Sequence, residues 1–162
     1  MDANAFAEAA AALRGAKAVV AFTGAGISAE SGVPTFRDAQ TGLWAKFDPM
    51  ELATPEAFQR DPERVWRWYL HRRILVRQAQ PNAGHLALVE IERRVPAFLL
   101  ATQNVDNLHR DAGQRRMVEL HGNLFRTVPV GGGKPVEIPD EPDDIPPRDP
   151  ETGRLLRPDV VW

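Results

Sequence analysis

The chain has 162 residues, 43% hydrophobic and 26% charged, with a net charge of −2. That length allows one domain with a small subdomain and a core burying roughly 70% of the unfolded surface. The lack of a basic excess argues against a dedicated nucleic-acid or anionic-membrane binder, and the absence of cysteine excludes disulfides, thiolate zinc sites, iron–sulfur clusters and cysteine nucleophiles.

Residues 2–14 read as a helix capped by Asp2 and stopped by Gly15, with Phe6, Ala10 and Leu13 on one face. Asp2 and Glu8 without a basic run do not read as a targeting segment. No stretch reaches ~18 consecutive apolar residues, so no membrane partner and a cytoplasmic location are expected. Ala18 to Thr23 (AVVAFT) is predicted to be a buried strand entering a tight turn at Gly24-Ala25-Gly26, and Ile27 to Gly32 the first turns of a helix. Val33 to Pro55 mixes Pro, Gly, Asp and isolated aromatics without either period, and reads as a long loop of the kind that carries function.

Asp61-Pro62 opens a helix to about Gln78, and Asn82 caps another through Arg94. Ala97 to Thr102 (AFLLAT) reads as a second buried strand, Asp106 to Asp111 as a short helix ending at Gly113, and Met117 to Leu120 as a third strand closed by His121-Gly122. Strands alternating with helices imply an α/β fold on a parallel, Rossmann-like sheet. Beyond residue 128 the character changes: eight of the 14 prolines lie between Pro129 and Pro158, beside Gly131-Gly132-Gly133 and an acidic excess. An irregular excursion is expected there, with residues 159–162 opening a further strand.

Four groups could carry chemistry. Glycines at 24 and 26, between a strand and a helix, permit close approach of a phosphate to backbone N–H groups. As a dinucleotide fingerprint the turn is imperfect: Ala29 stands where the third glycine would be, and no second strand brings an acidic residue. Gln103, Asn104 and Asp106 lie just past a strand's C-terminal end, where open α/β sheets bind ligands; Asp106 could also cap the following helix. His121 follows the third strand directly and suits general-base work near neutral pH. Tyr69 and Arg72 are neighbours on one helix face. Beside an acyl pocket they would recognise a terminal carboxylate; elsewhere they would be a packed phenol and a solvated charge.

The stretches GAGISAESGVPTFRD (Gly24 to Asp38), TQNVDNLH (Thr102 to His109), ELHGN (Glu119 to Asn123) and LLRPDVVW (Leu155 to Trp162) together resemble the sirtuin family, the NAD-dependent protein deacylases. The resemblance implies NAD as cofactor and acylated lysines of proteins as substrates. It places Gly24, Ala25, Gly26, Ser28 and Ala29 at the pyrophosphate, with Pro34, Phe36 and Arg37 in the loop over the cofactor. Gln103, Asn104, Asp106 and His121 fall at the nicotinamide ribose and its carboxamide. It implies transfer of the acyl group from lysine to ADP-ribose with release of nicotinamide, His121 taking a ribose hydroxyl proton and Asn104 and Asp106 orienting the sugar. The Tyr-x-x-Arg pair is similar to that of the subclass removing succinyl and malonyl groups.

On this reading residues 1–128 are the NAD-binding portion with a helical and loop insert at about 33–95, residues 129–158 the equivalent of the family's zinc subdomain, and residues 159–162 the start of a further strand. The family's zinc-binding cysteines would fall near Pro129, Gly132, Asp149 and Thr152, so no metal is expected and something else must hold this segment. The resemblance covers the N-terminal portion of a family member. A C-terminal half or partner chain is therefore expected to complete the sheet. A truncated NAD-binding remnant and a protein ADP-ribosyltransferase are the alternatives.

Overall fold

The computed structural model describes residues 3–33 and 48–162. Helix α1 (Ala3–Gly15) leads into strand β1 (Ala18–Thr23) and the short helix α2 (Ala25–Ala29). Helices α3 (Pro49–Leu52), α4 (Pro55–Arg60), α5 (Pro62–Arg77) and α6 (Ala83–Arg94) follow. Then come β2 (Ala97–Thr102), α7 (Leu108–Asp111), β3 (Met117–Glu119), β4 (Gly122–Pro129) and β5 (Leu156–Val160). Among the described residues no helix is long and apolar enough to cross a membrane. The expected contacts of Pro34, Phe36 and Arg37 lie outside the described residues.

The parallel sheet has the order β1-β2-β3. Thr23 pairs with Thr102, and Thr102 with Glu119, so all three strands finish in one row. The segments leaving them, at Gly24, Gln103 and Leu120-His121, therefore emerge at one edge, and this alignment builds the site.

Helix starts follow the capping chemistry. Thr54 Oγ1 accepts the Ala57 N–H at 3.1 Å, and Asp61 Oδ1 accepts the Arg64 N–H at 3.0 Å. Asn82 and His85 form a reciprocal capping box on α6. The Asn82 amide also donates to Ile27 O (2.7 Å) and Ser31 Oγ (2.9 Å), locking α6 to the segment that follows β1.

Burial of the first two strands departs from expectation. β1 and β2 are apolar up to their terminal threonines, yet only one face is covered: Phe98, Leu100 and Thr102 are buried, while Val20 is 70% and Phe22 65% exposed. An apolar run reports strand propensity on both faces and cannot say whether each has a cover. Phe6 and Leu13 of α1 are likewise exposed. The helix also includes Gly15 instead of stopping before it.

The second correction concerns the segment after residue 119. β4 and β5 form a separate antiparallel two-stranded sheet. The later strand begins at Leu156 and ends at Val160, not over 159–162, and it does not join the parallel sheet. Helix α5 seats on this pair: Trp66 Nε1 donates to Leu156 O (2.8 Å), and buried Arg73 donates through Nε to Leu124 O (2.7 Å). Burial lowers the Arg73 guanidinium to about 10, still cationic near neutrality.

The excursion between β4 and β5 is ordered by hydrogen bonds at the positions where the resemblance places cysteines. Gly132 N–H donates to Pro129 O (3.0 Å), and Val130 N–H to Leu155 O (2.8 Å). The Asp149 carboxylate accepts the Thr152 hydroxyl and the Glu151 N–H. Among the described residues no three His, Asp or Glu side chains gather as metal ligands.

Candidate active site

The end of β2 meets the turn after β1 through side chains. The Asn104 amide donates to Gly24 O and to Ser28 Oγ, both at 3.0 Å. Ser28, itself buried, donates to Asp106 Oδ2 at 2.6 Å, and Asp106 Oδ1 accepts the Leu108 N–H at 3.0 Å. Asp106 thus both opens α7 and anchors Ser28. With both Asn104 amide hydrogens committed, its carbonyl oxygen remains as an acceptor toward a ligand. Among the described residues an added Cβ at Gly24 or Gly26 meets nothing within 4 Å, so they leave the space beside this turn clear.

His121 stands across from them. Its Nδ1 lies 3.2 Å from the Gln103 carbonyl, and a carbonyl can only accept. That contact therefore places the proton on Nδ1 and leaves Nε2 as the basic atom. The His121 carbonyl is held by the Val161 N–H at 3.0 Å. Just before it, Glu119 accepts from Arg110 Nε (2.8 Å), Asn123 Nδ2 (2.7 Å) and Arg126 Nη1 (2.9 Å). Burial works against the Glu119 charge, but these donors outweigh it and hold its carboxyl at about 2. Arg126 also pairs with Asp159, so β3, β4 and β5 are tied together around the His121-Gly122 corner.

A cavity of about 330 Å³ is lined by Ala25, Ser28, Gln103, Asn104, Asp106 and His121 on the strand-end side. Tyr69 and Arg72 line it from α5, and Val105, Leu124 and Trp162 are among its apolar walls. The Arg72 guanidinium lies 5.0 Å from the Trp68 ring centroid. Burial disfavours its charge, with Tyr69 pulling the other way. An anion in the cavity would offset that desolvation.

Two buried histidines support the strand ends from behind. His109 Nε2 lies 3.0 Å from Thr23 Oγ1; the Thr23 hydroxyl donates to Thr102 Oγ1, which accepts the Asn104 N–H. His85 packs on His109 with centroids 4.8 Å apart. Burial pushes both imidazoles down, His109 to about 4 with His85 adding to the effect. An unfolded histidine titrates near 6.5. Between about pH 6.5 and 4 the unfolded chain therefore binds protons that the folded chain does not, and stability falls as pH falls. The expected slope from His109, whose folded value is about 4, is about 1.4 kcal/mol per pH unit, and His85 adds to it in the same direction. The Glu119 contribution, with its folded value at about 2, is lost below about 4.5, so the histidine slope is read above that pH. Denaturant titrations from pH 6.5 to 4.5 should show this slope, reduced in His109→Gln; the same slope in the variant would remove His109 as its source.

The structure brings together eight of the anticipated residues around one cavity: Ala25, Ser28, Tyr69, Arg72, Gln103, Asn104, Asp106 and His121. Gly24 contributes through its carbonyl, and Gly26 and Ala29 lie on α2 outside the lining residues. Sequence reasoning missed Trp162, Val105 and Leu124 as walls and Thr23 and Thr102 as supports. Position was the available signal: Val105 lies between two polar site residues, and both threonines end their strands.

Residues 24–162 match the family described as Sir2 family. The chain is 54% identical over 154 residues to an NAD-dependent protein deacylase of Thermus thermophilus, covering 93% of this chain and 60% of that protein. A Sir2 homolog solved as an NAD complex superposes with a TM-score of 0.85 at 45% identity, over 96% of this chain and 61% of the other. A Sir2 protein bound to acetylated peptide gives 0.82 at 28% identity, over 100% and 64%. The chain thus spans about 60% of the length of the curated relatives it matches.

Proposed function

Because this chain belongs to the Sir2 family, we propose that it carries the NAD site and catalytic residues of an NAD-dependent protein-lysine deacylase that accepts succinyl and malonyl as well as acetyl groups. The observation that carries the reading is the common end row of the parallel strands. It gathers the glycine turn, Asn104, Asp106 and His121 around one cavity that also holds Tyr69 and Arg72. The site fits a dinucleotide: among the described residues nothing fills the space at Gly24 and Gly26, and Gln103, Asn104 and Ser28 supply polar contacts to the cavity. Bound there, NAD supplies the ADP-ribose that receives the acyl group, with nicotinamide as its leaving group.

The chain's own residues then have separable tasks. Ser28 and Asp106 fix Asn104, whose carbonyl oxygen can accept from a ribose hydroxyl or a carboxamide N–H. The hydrogen bond to Gln103 O sets the His121 ring and leaves Nε2 to take a hydroxyl proton. Trp162, Val105 and Leu124 are apolar walls that exclude water from the acyl group. Tyr69 and Arg72 stand where a carboxylate at the acyl end would be met by a charge-assisted bond.

Matched succinyl- and acetyl-lysine peptides test this directly. With NAD present, nicotinamide release should depend on an acylated peptide. A charged hydrogen bond contributes about 1.5–3 kcal/mol, which is about tenfold or more in relative turnover. Arg72→Met should therefore lower desuccinylation about tenfold more than deacetylation. An equal fall in both would make Arg72 a structural residue.

A further inference from the structure

The hydroxyl of Tyr69, the chain's single tyrosine, is held by groups outside the anticipated pair. Tyr69 is 2% exposed. Trp162 Nε1–H donates to its oxygen at 2.9 Å. The Trp162 ring is fixed between Phe58, at 5.2 Å between centroids, and the Arg157 guanidinium, 3.9 Å from the ring centroid. Arg157 is anchored in turn by donation to the Val160 carbonyl. From the other side Trp68 meets the Tyr69 ring edge-on at 4.7 Å.

Indole N–H and guanidinium groups only donate hydrogen bonds. One lone pair of the Tyr69 oxygen is taken by Trp162, so the hydroxyl's own hydrogen must point away from the indole. The cation on the indole face draws on its π-electrons and strengthens the N–H as a donor. That in turn makes the phenol a better donor, because hydrogen bonds in a chain polarise one another.

We propose that Trp162 and Arg157 are positioning residues for specificity: they turn the Tyr69 hydroxyl into a donor beside Arg72, so that this end of the cavity selects acyl groups ending in a carboxylate. The proposal rests on the deacylase reading and assigns its selectivity to two residues beyond the anticipated Tyr69 and Arg72 pair. A methyl-ended acyl group offers the Tyr69 hydroxyl no acceptor, and a site built to hydrogen-bond its ligand favours one that reciprocates over one that cannot.

The test uses Trp162→Phe, which keeps an aromatic ring and deletes the N–H. With one tyrosine in the chain, alkaline absorbance titration reads Tyr69 alone. Burial already holds its phenol above the ordinary value, while the Trp162 bond and the charges of Arg72 and Arg157 pull it down. Loss of the indole donor should move the midpoint further up. The second readout is the ratio of kcat/KM for succinyl- over acetyl-lysine peptide. It should fall about tenfold in Trp162→Phe, fall similarly in Tyr69→Phe, and fall no further in the double variant, as for residues acting as a unit.

An unmoved titration, an unchanged ratio, or full additivity of the two substitutions each overturns the proposal. If the wild-type chain turns over neither peptide, the deacylase reading fails on its own. The same ratio is then taken from dissociation constants for the two peptides, where equal wild-type affinities overturn the selectivity claim. Should Trp162→Phe not fold, Arg157→Lys is expected to shift both readouts in the same directions by less, and no shift in either counts against the proposal.

Discussion

Replacing His121 with alanine is expected to lower deacylation by about 10²–10⁴-fold, the range of a positioned general base, while NAD affinity changes only a few-fold. The asymmetry follows from the hydrogen bonds. The contact with the Gln103 carbonyl fixes the Nδ1–H tautomer, so the basic atom is Nε2 and no other described residue holds an equivalent lone pair in that place. The contacts assigned to NAD are made by other groups, Asn104, Ser28 and the open turn at Gly24. Single-turnover rates and NAD binding by calorimetry separate the two. A variant that keeps its rate within a factor of two, or loses rate and NAD affinity together, removes His121 from the role of base.

Gly122→Ala is expected to destabilise the fold by about 2–6 kcal/mol, combining the cost of a strained backbone angle with that of overpacking. Gly122 has φ +81°, and a Cβ built there lies 1.9 Å from the Asp159 carbonyl oxygen. This is backbone meeting backbone, so no side chain can rotate away. Relief requires parting β4 from β5 at the Gly122–Val160 pair, which also displaces the Val161 N–H that holds His121. Such a loss is a large fraction of the 5–15 kcal/mol available to a domain. Denaturation of the purified variant measures it; a change below about 0.5 kcal/mol, the size of an ordinary surface substitution, would show that the corner relaxes.

Much of the site was readable because its residues lie where short-range rules operate. AVVAFT, AFLLAT and MVEL gave the parallel strands, and in such sheets ligands gather past the strand ends; Gly24, Asn104, Asp106 and His121 stand there. Helical spacing puts Tyr69 and Arg72 on one face, the family resemblance marks them as a pair, and α5 carries both into one cavity.

What the sequence concealed depends on distant chain. Prolines masked β4 and β5: Pro129 ends one strand and Pro158 pairs with Thr127 in the other. In a two-stranded sheet every strand is an edge, where a missing N–H can face outward without cost to the ladder. Trp162 escaped notice because its partner Tyr69 is 93 residues away, and no periodicity spans that separation. The exposure of Val20 and Phe22 was hidden for the opposite reason, since an apolar run looks the same whether one face is covered or both. His85 and His109 carry no local signal of their contact. They pack on each other across α6 and α7, 24 residues apart in the chain, beyond the reach of any helical spacing.

The destination of the acyl group tests the central claim most directly. The chain is incubated with NAD and a peptide whose lysine carries an isotopically labelled succinyl group, and the products are resolved by mass spectrometry. The account predicts equal amounts of free-lysine peptide, nicotinamide and labelled succinyl-ADP-ribose, all abolished together in His121→Ala. Free succinate with NAD intact, or ADP-ribose attached to protein while the lysine keeps its label, would contradict it.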